Sequence, residues 1–150
     1  MHRLLLCCLL ALGACKKEAA TGPVSVSRFS SGQLVGTWRI TSAVSGEAYA
    51  WGGGAPTTNV YSGSYSCAAQ NSYSFSEGGA GSFSVCGSTS TGGQWKLEED
   101  ILRSRNSPSD GWTEEAVQTV SSNMMTTTEK VARPGDPAQT TSITYTYVRQ

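Results

Sequence analysis

From Leu34 onward the apolar residues of this chain recur with a period of two, in short runs separated by clusters of Gly, Pro, Ser, Asn and Asp. That period places side chains alternately on the two faces of an extended strand. In the run from Leu34 to Val44, Trp38, Ile40 and Val44 share one face, and Thr37, Arg39, Thr41 and Ala43 take the other. The pattern predicts a half-buried strand with Trp38 and Ile40 turned to the core. Gly36, two residues before the indole, lets the strand bend sharply or lets another segment close over the core entrance.

The rest of the chain repeats this pattern. Glu47 to Pro56 carries Tyr49, Trp51 and the Gly52 to Gly54 run, and reads as a loop or wide bend. Val60 to Tyr65 is a candidate second strand. Tyr73 and Phe75 alternate with serines up to Glu77-Gly78-Gly79, after which Phe83 and Val85 resume. If those three residues form a hairpin loop with Gly in the left-handed region, residue 73 pairs with residue 83 and Tyr73 faces Phe83. Trp95 and Leu97 mark the next strand, Glu99-Asp100 a turn or bulge, and Ile101 to Arg105 its continuation. Ser107-Pro108-Ser109-Asp110-Gly111 and Pro134-Gly135-Asp136-Pro137 are turn signals. Glu115 to Val120, Met124 to Val131 and Thr141 to Val148 complete the set, the last with Ile143, Tyr145 and Tyr147 on one face. No segment reads as a helix. The expectation is an all-β, antiparallel sandwich or closed barrel of about eight short strands over residues 34–150.

A length of 150 residues suits one domain with a core. Eleven basic residues balance eleven acidic ones without clustering, so the chain lacks the basic footprint of a nucleic-acid binder. Gly52 to Gly54 is not a phosphate loop, because no Gly-Lys-Ser/Thr follows it.

The N-terminus reads as a targeting segment. His2 and Arg3 precede an apolar run from Leu4 to Leu12, and small residues lead to Cys15. At about 1.5 Å per residue the run reaches roughly 14 Å, about half of a hydrocarbon core, too short for a helix to span. Leu12-Gly13-Ala14-Cys15 resembles the lipobox of bacterial lipoproteins. The resemblance implies a signal peptide over 1–14, palmitate and other acyl chains on Cys15, and a flexible tether over 15–33. Lys16 after the lipidated Cys implies the outer membrane, facing the periplasm or the cell surface. Cys15-Lys16-Lys17-Glu18 also resembles surface-export signals of Bacteroidetes lipoproteins. Cleavage before Cys15 would remove Cys7, Cys8 and His2, the chain's single histidine. Without imidazole the common nucleophile triads and catalytic zinc sets are excluded, which predicts no enzyme, no metal and no cofactor.

Three groups of residues together resemble the small lipocalin-like lipoproteins of Bacteroidetes within the wider calycin pattern. They are Leu34, Gly36 and Trp38; Cys67, Tyr73, Phe75, Gly78 and Cys86; and Gly93, Trp95 and Leu97. The resemblance implies an up-and-down β-barrel with Trp38, Ile40, Phe75, Phe83, Trp95 and Leu97 in its core. It also implies a small apolar ligand, with a non-catalytic structural or protein-interaction barrel as the alternative. Some lipocalins stack an Arg from the chain end on the first-strand Trp, and Arg149 is the candidate for that contact, with a solvated terminal Arg as the alternative.

Cys67 and Cys86 are the thiols left to pair in an oxidising envelope, with two buried free thiols as the alternative. In the predicted register Cys86 faces residue 70, so residues 67–70 must curl back to close the bond. Tyr49, Trp51 and Trp112 lie beside loops and are the candidate ligand-binding residues, or else cover a barrel end. The interior aromatics either line a cavity or fill the barrel. The expectation is at most a shallow pocket near Tyr49, Trp51 and the glycine run, at or below roughly 300 Å³. Glu98-Glu99-Asp100 and Glu114-Glu115 read as solvated acidic turns, since neighbouring strand residues face opposite ways.

Overall fold

In the computed structural model, which describes residues 27–61 and 70–150, the alternating runs become nine strands. These are β1 (Gly36–Tyr49), β2 (Thr57–Asn59), β3 (Ser72–Phe75), β4 (Ala80–Val85), β5 (Ser88–Glu98), β6 (Ile101–Arg105), β7 (Thr113–Val120), β8 (Met124–Arg133) and β9 (Asp136–Arg149). All described pairings are antiparallel. β1 and β3 through β9 run in sequence order, and β9 pairs back onto β1, closing an eight-stranded up-and-down barrel. The ninth strand, β2, pairs with the far half of β1 beyond the part that β3 holds.

The local chemistry sets the register. Ser72↔Ser84, Tyr73↔Phe83 and Phe75↔Gly81 place the aromatic pair opposite one another as the hairpin reading required, with Gly78 and Gly79 at φ +77° and +86°. Glu99 and Asp100 form a two-residue turn with φ of +51° and +63° between Glu98 and Ile101. Both residues being left-handed matches the twist of the flanking strands. Asp is among the non-glycine residues that tolerate that region. Cys86 and Gly87 make a similar turn at the opposite end.

Several expectations change. The alternation of β1 does not run straight through: a bulge between Ile40 and Ser42 flips the phase, so Ala43 is buried and Val44 is exposed. A bulge inserts one residue against a continuous partner, which exchanges the faces of everything beyond it. The second strand lies at Thr57–Asn59 rather than at Val60 to Tyr65, and Val60 and Tyr61 are helical. Residues 62–69, including the remainder of that expected strand and Cys67, lie outside the described residues. A one-turn helix, α1 (Ser31–Leu34), precedes the barrel, where no helix was expected. Its start is set by Ser30, whose N–H donates to Gln33 Oε1 at 2.8 Å.

Residues 27–33, expected as the end of the tether, are fixed to the barrel. The Asp100 carboxylate accepts hydrogen bonds from Ser27 Oγ at 2.6 Å, Arg28 N at 2.8 Å and Phe29 N at 3.2 Å. It also pairs with Arg28 Nε at 2.7 Å. Phe29 packs against the core beside buried Leu34.

One end of the barrel is filled. Trp38, Phe75, Trp95, Leu102, Val117 and Met125 are buried there with Leu34, and Leu97 is half-buried against them. Trp38 Nε1 donates to the Leu34 carbonyl at 2.7 Å, and Trp95 Nε1 to the Ser76 carbonyl at 2.9 Å. Arg149 stacks its guanidinium over the Trp38 ring at 4.2 Å and donates to the Gln33 carbonyl at 2.8 Å and to the Val35 carbonyl. Gly36, at φ +134°, passes directly beneath it, and a Cβ there would meet Arg149 Nη1 at 2.2 Å.

Candidate functional site

Above that packed floor the barrel is not filled. A cavity of about 520 Å³ opens at the end that carries the β4–β5 turn and the β6–β7 loop. It is larger than the shallow pocket expected and lies elsewhere: it descends inside the barrel to Phe83 and Tyr147. The size follows from the side chains available. Ala43 and Ser104 occupy inward positions where bulkier residues would close the space.

The wall is divided by chemistry. Ile40, Ala43, Tyr73 and Phe83 form an apolar and aromatic side, with Tyr73 edge-on to Phe83 and to Tyr147 at ring distances of 5.8 Å each. Glu115 of β7, Glu129 of β8 and Tyr145 and Tyr147 of β9 form a polar side. The Tyr147 hydroxyl donates to Glu115 Oε2 at 2.8 Å, Thr127 Oγ1 donates to the same oxygen, and the Tyr145 hydroxyl donates to Glu129 Oε2 at 3.0 Å.

Burial dominates the electrostatics of this wall. It pushes the Glu115 carboxyl up, and neighbouring Glu129 adds to the shift against the two hydrogen bonds that oppose it. Glu129 is pushed up by burial as well, with the Tyr145 hydrogen bond opposing. The Tyr145 and Tyr147 hydroxyls are raised chiefly by burial and then by the adjacent carboxyls, so both stay protonated donors.

The sequence missed Glu115 and Glu129, although a signal for them was present. Glu115 keeps phase with Val117, and Glu129 with Met125 and Thr127, so both fall on inward faces. Composition argued the other way, because charged residues are seldom fully buried. Glu114, the outward neighbour, is the solvated one and pairs with Arg103 at 2.7 Å.

None of the three loop aromatics lines the cavity. Trp51 is buried with Ala43, Val60 and Ile143, meets Tyr49 edge-on at 5.7 Å, and donates its indole N–H to the Thr57 carbonyl at 3.1 Å. Tyr49 is occupied by Glu47 and by Arg133, which lies 5.4 Å over its ring. Trp112 sits outside the wall, 37% exposed, between Arg105 at 4.4 Å and Lys96 at 5.3 Å. The pair at β1 and the lone ring at the β6–β7 loop therefore do not form one site. Cys86 N–H donates to Asn71 Oδ1 at 2.9 Å, which brings the chain just after residue 70 against the β4–β5 turn. Cys67 itself, like the Cys15 lipidation site, lies outside the described residues.

Among the described residues no group of three His, Cys, Asp or Glu side chains is placed to hold a metal ion, and no helix is long and apolar enough to cross a membrane. In comparisons with known proteins, no family model matches the chain, and no curated protein or solved structure matches it.

Proposed function

We propose that this chain is a lipid-anchored, lipocalin-like binding barrel of the bacterial outer membrane that takes one small, largely apolar molecule and performs no catalysis. The observation that carries the reading is the single-ended cavity of about 520 Å³, inside the range of small-molecule sites. A barrel serving only as a scaffold gains stability by filling its interior, and here the two packed clusters leave an open space between them and the polar wall. The Gly36-x-Trp38 strand with Arg149 stacked on the indole supports the lipocalin-like assignment.

The described chain begins at the packed end, where Ser27 binds Asp100. A tether from lipidated Cys15 would reach the barrel there and leave the mouth facing away from the membrane. A Cys67 to Cys86 disulfide, supported by the Cys86 to Asn71 contact, would hold the segment before β3 against the rim.

Filling the cavity tests the binding reading. The full chain in lipid nanodiscs, with empty discs as the blank, should bind 2-(1-naphthyl)ethanol, and Ser104→Phe should abolish that binding while keeping a cooperative melt. Equal binding by the filled variant would place the probe outside the barrel and refute the reading. For the anchor, Cys15→Ser should leave an unprocessed precursor without palmitate label. Label persisting in that variant would refute the lipoprotein assignment.

A further inference from the structure

We propose that the ligand is a cationic amine with an apolar body, its ammonium seated between Glu115 and Glu129 and its body against Tyr73 and Phe83. This rests on the binding-barrel reading and names the chemistry of the same cavity.

Register brings the two carboxyls together. Ala116 pairs with Thr128 and Val117 with Thr127, so one step further along β7 and β8 sets Glu115 beside Glu129, both facing the cavity. Directly opposed like charges destabilise a strand pair, and removing carboxylates from water costs more still. Within the described residues no cation offsets that cost: neither carboxyl takes part in any of the ion pairs found there. Arg105 contributes to the cavity lining, but its guanidinium is held by Gln94 and the Pro108 carbonyl and stacks on Trp112.

The hydrogen-bond count points to the same vacancy. Glu115 is 8% exposed, yet both of its donors, Thr127 and Tyr147, converge on Oε2. No donor among the described residues reaches Oε1, and Glu129 likewise receives its tyrosine on Oε2. Arg133 Nε is the one buried side-chain nitrogen or oxygen without a partner among the described residues, so Glu115 Oε1 opens onto the cavity, where a ligand donor can replace water. An ammonium supplies donors and the compensating charge together.

A ligand carboxylate would face two carboxyls and is disfavoured. An alcohol supplies a donor but no charge. Burial raises the pKa of both glutamates, and an ammonium between them would oppose that shift by favouring their charged forms.

Three naphthyl probes that differ only in head group separate the possibilities: 2-(1-naphthyl)ethylamine, 2-(1-naphthyl)ethanol and 3-(1-naphthyl)propionate. Each is titrated calorimetrically into the full chain in neutral-lipid nanodiscs at pH 7. The amine should bind tighter than the alcohol by about tenfold or more, the scale of a charge-assisted hydrogen bond, and the propionate should bind weakest. In Glu115→Gln and in Glu129→Gln the amine-to-alcohol ratio should fall toward one. Glu129 is only half-buried, so its variant carries the test if Glu115→Gln does not fold. Equal binding of all three probes, tighter binding of the propionate, or an unchanged ratio in the folded variants would overturn the amine assignment and leave the binding barrel standing. Failure of all three to bind would overturn both.

Discussion

Gly36→Ala combined with Arg149→Ala measures how the closed end of the barrel is held. At φ +134° a side chain is strained by about 1–3 kcal/mol. The added Cβ would also lie 2.2 Å from Arg149 Nη1 and must displace it. Displacement loses the contact with Trp38, about 0.5–2 kcal/mol, and the bonds to the Gln33 and Val35 carbonyls, about 1 kcal/mol each. Gly36→Ala should therefore cost about 3.5–7 kcal/mol and Arg149→Ala about 2.5–4 kcal/mol. In the double variant the Arg149 contacts are lost once rather than twice, so its cost should fall about 2.5–4 kcal/mol short of the sum. Urea unfolding followed by tryptophan fluorescence gives all three values. Additivity within about 0.5 kcal/mol would show that the backbone conformation alone demands glycine and that Arg149 holds nothing through it.

Trp51→Ala should cost about 3 kcal/mol in the same assay and leave naphthyl-ethanol affinity nearly unchanged; a large affinity loss at small stability cost would return Trp51 to recognition. Hydrogen bonds from Ser27 and Arg28 hold the Asp100 carboxyl at about 2, below its ordinary 3.8. A depressed folded value means the contribution is complete above about pH 4 and is lost as pH falls through about 2, so Asp100→Asn should flatten the stability curve across that window. An unchanged slope there would refute the latch. Glu115 has the opposite sign: its raised value makes its contribution greatest in acid and lost as pH rises, so Glu115→Gln should gain on the wild type between pH 5 and pH 8 without ligand. A disulfide between Cys67 and Cys86 would close a loop of about twenty residues and stabilise the fold by about 3 kcal/mol; full alkylation of both in folded, unreduced protein would exclude it.

The sequence by itself determined eight of the nine strands, though not where β1 ends or where β5 and β9 begin. Period-two alternation and turn chemistry are local properties, so Tyr73 could be set opposite Phe83, and turns placed at Glu99-Asp100 and Pro134-Gly135, without knowledge of the rest of the chain. The burial of Trp38 was legible from the same alternation, whereas the reach of Arg149 to it was offered only by the resemblance to lipocalins, beside a solvated terminal Arg, because the contact joins the two ends of the barrel sequence.

Only the tertiary structure decided which inward positions meet packing and which meet space. The bulge in β1 that exchanges Ala43 for Val44 is invisible to alternation, since it depends on how β9 lies against β1. Trp51 looked like a recognition residue because it sits beside a loop, and closure of the barrel buried it against Ile143, ninety-two positions away in sequence. Glu115 and Glu129 carry the right phase for the interior, but whether a carboxyl there is crushed, solvated or turned into a cavity depends on the size of Ala43 on β1 and Ser104 on β6. That is a sum over eight strands, and no window of neighbouring residues contains it.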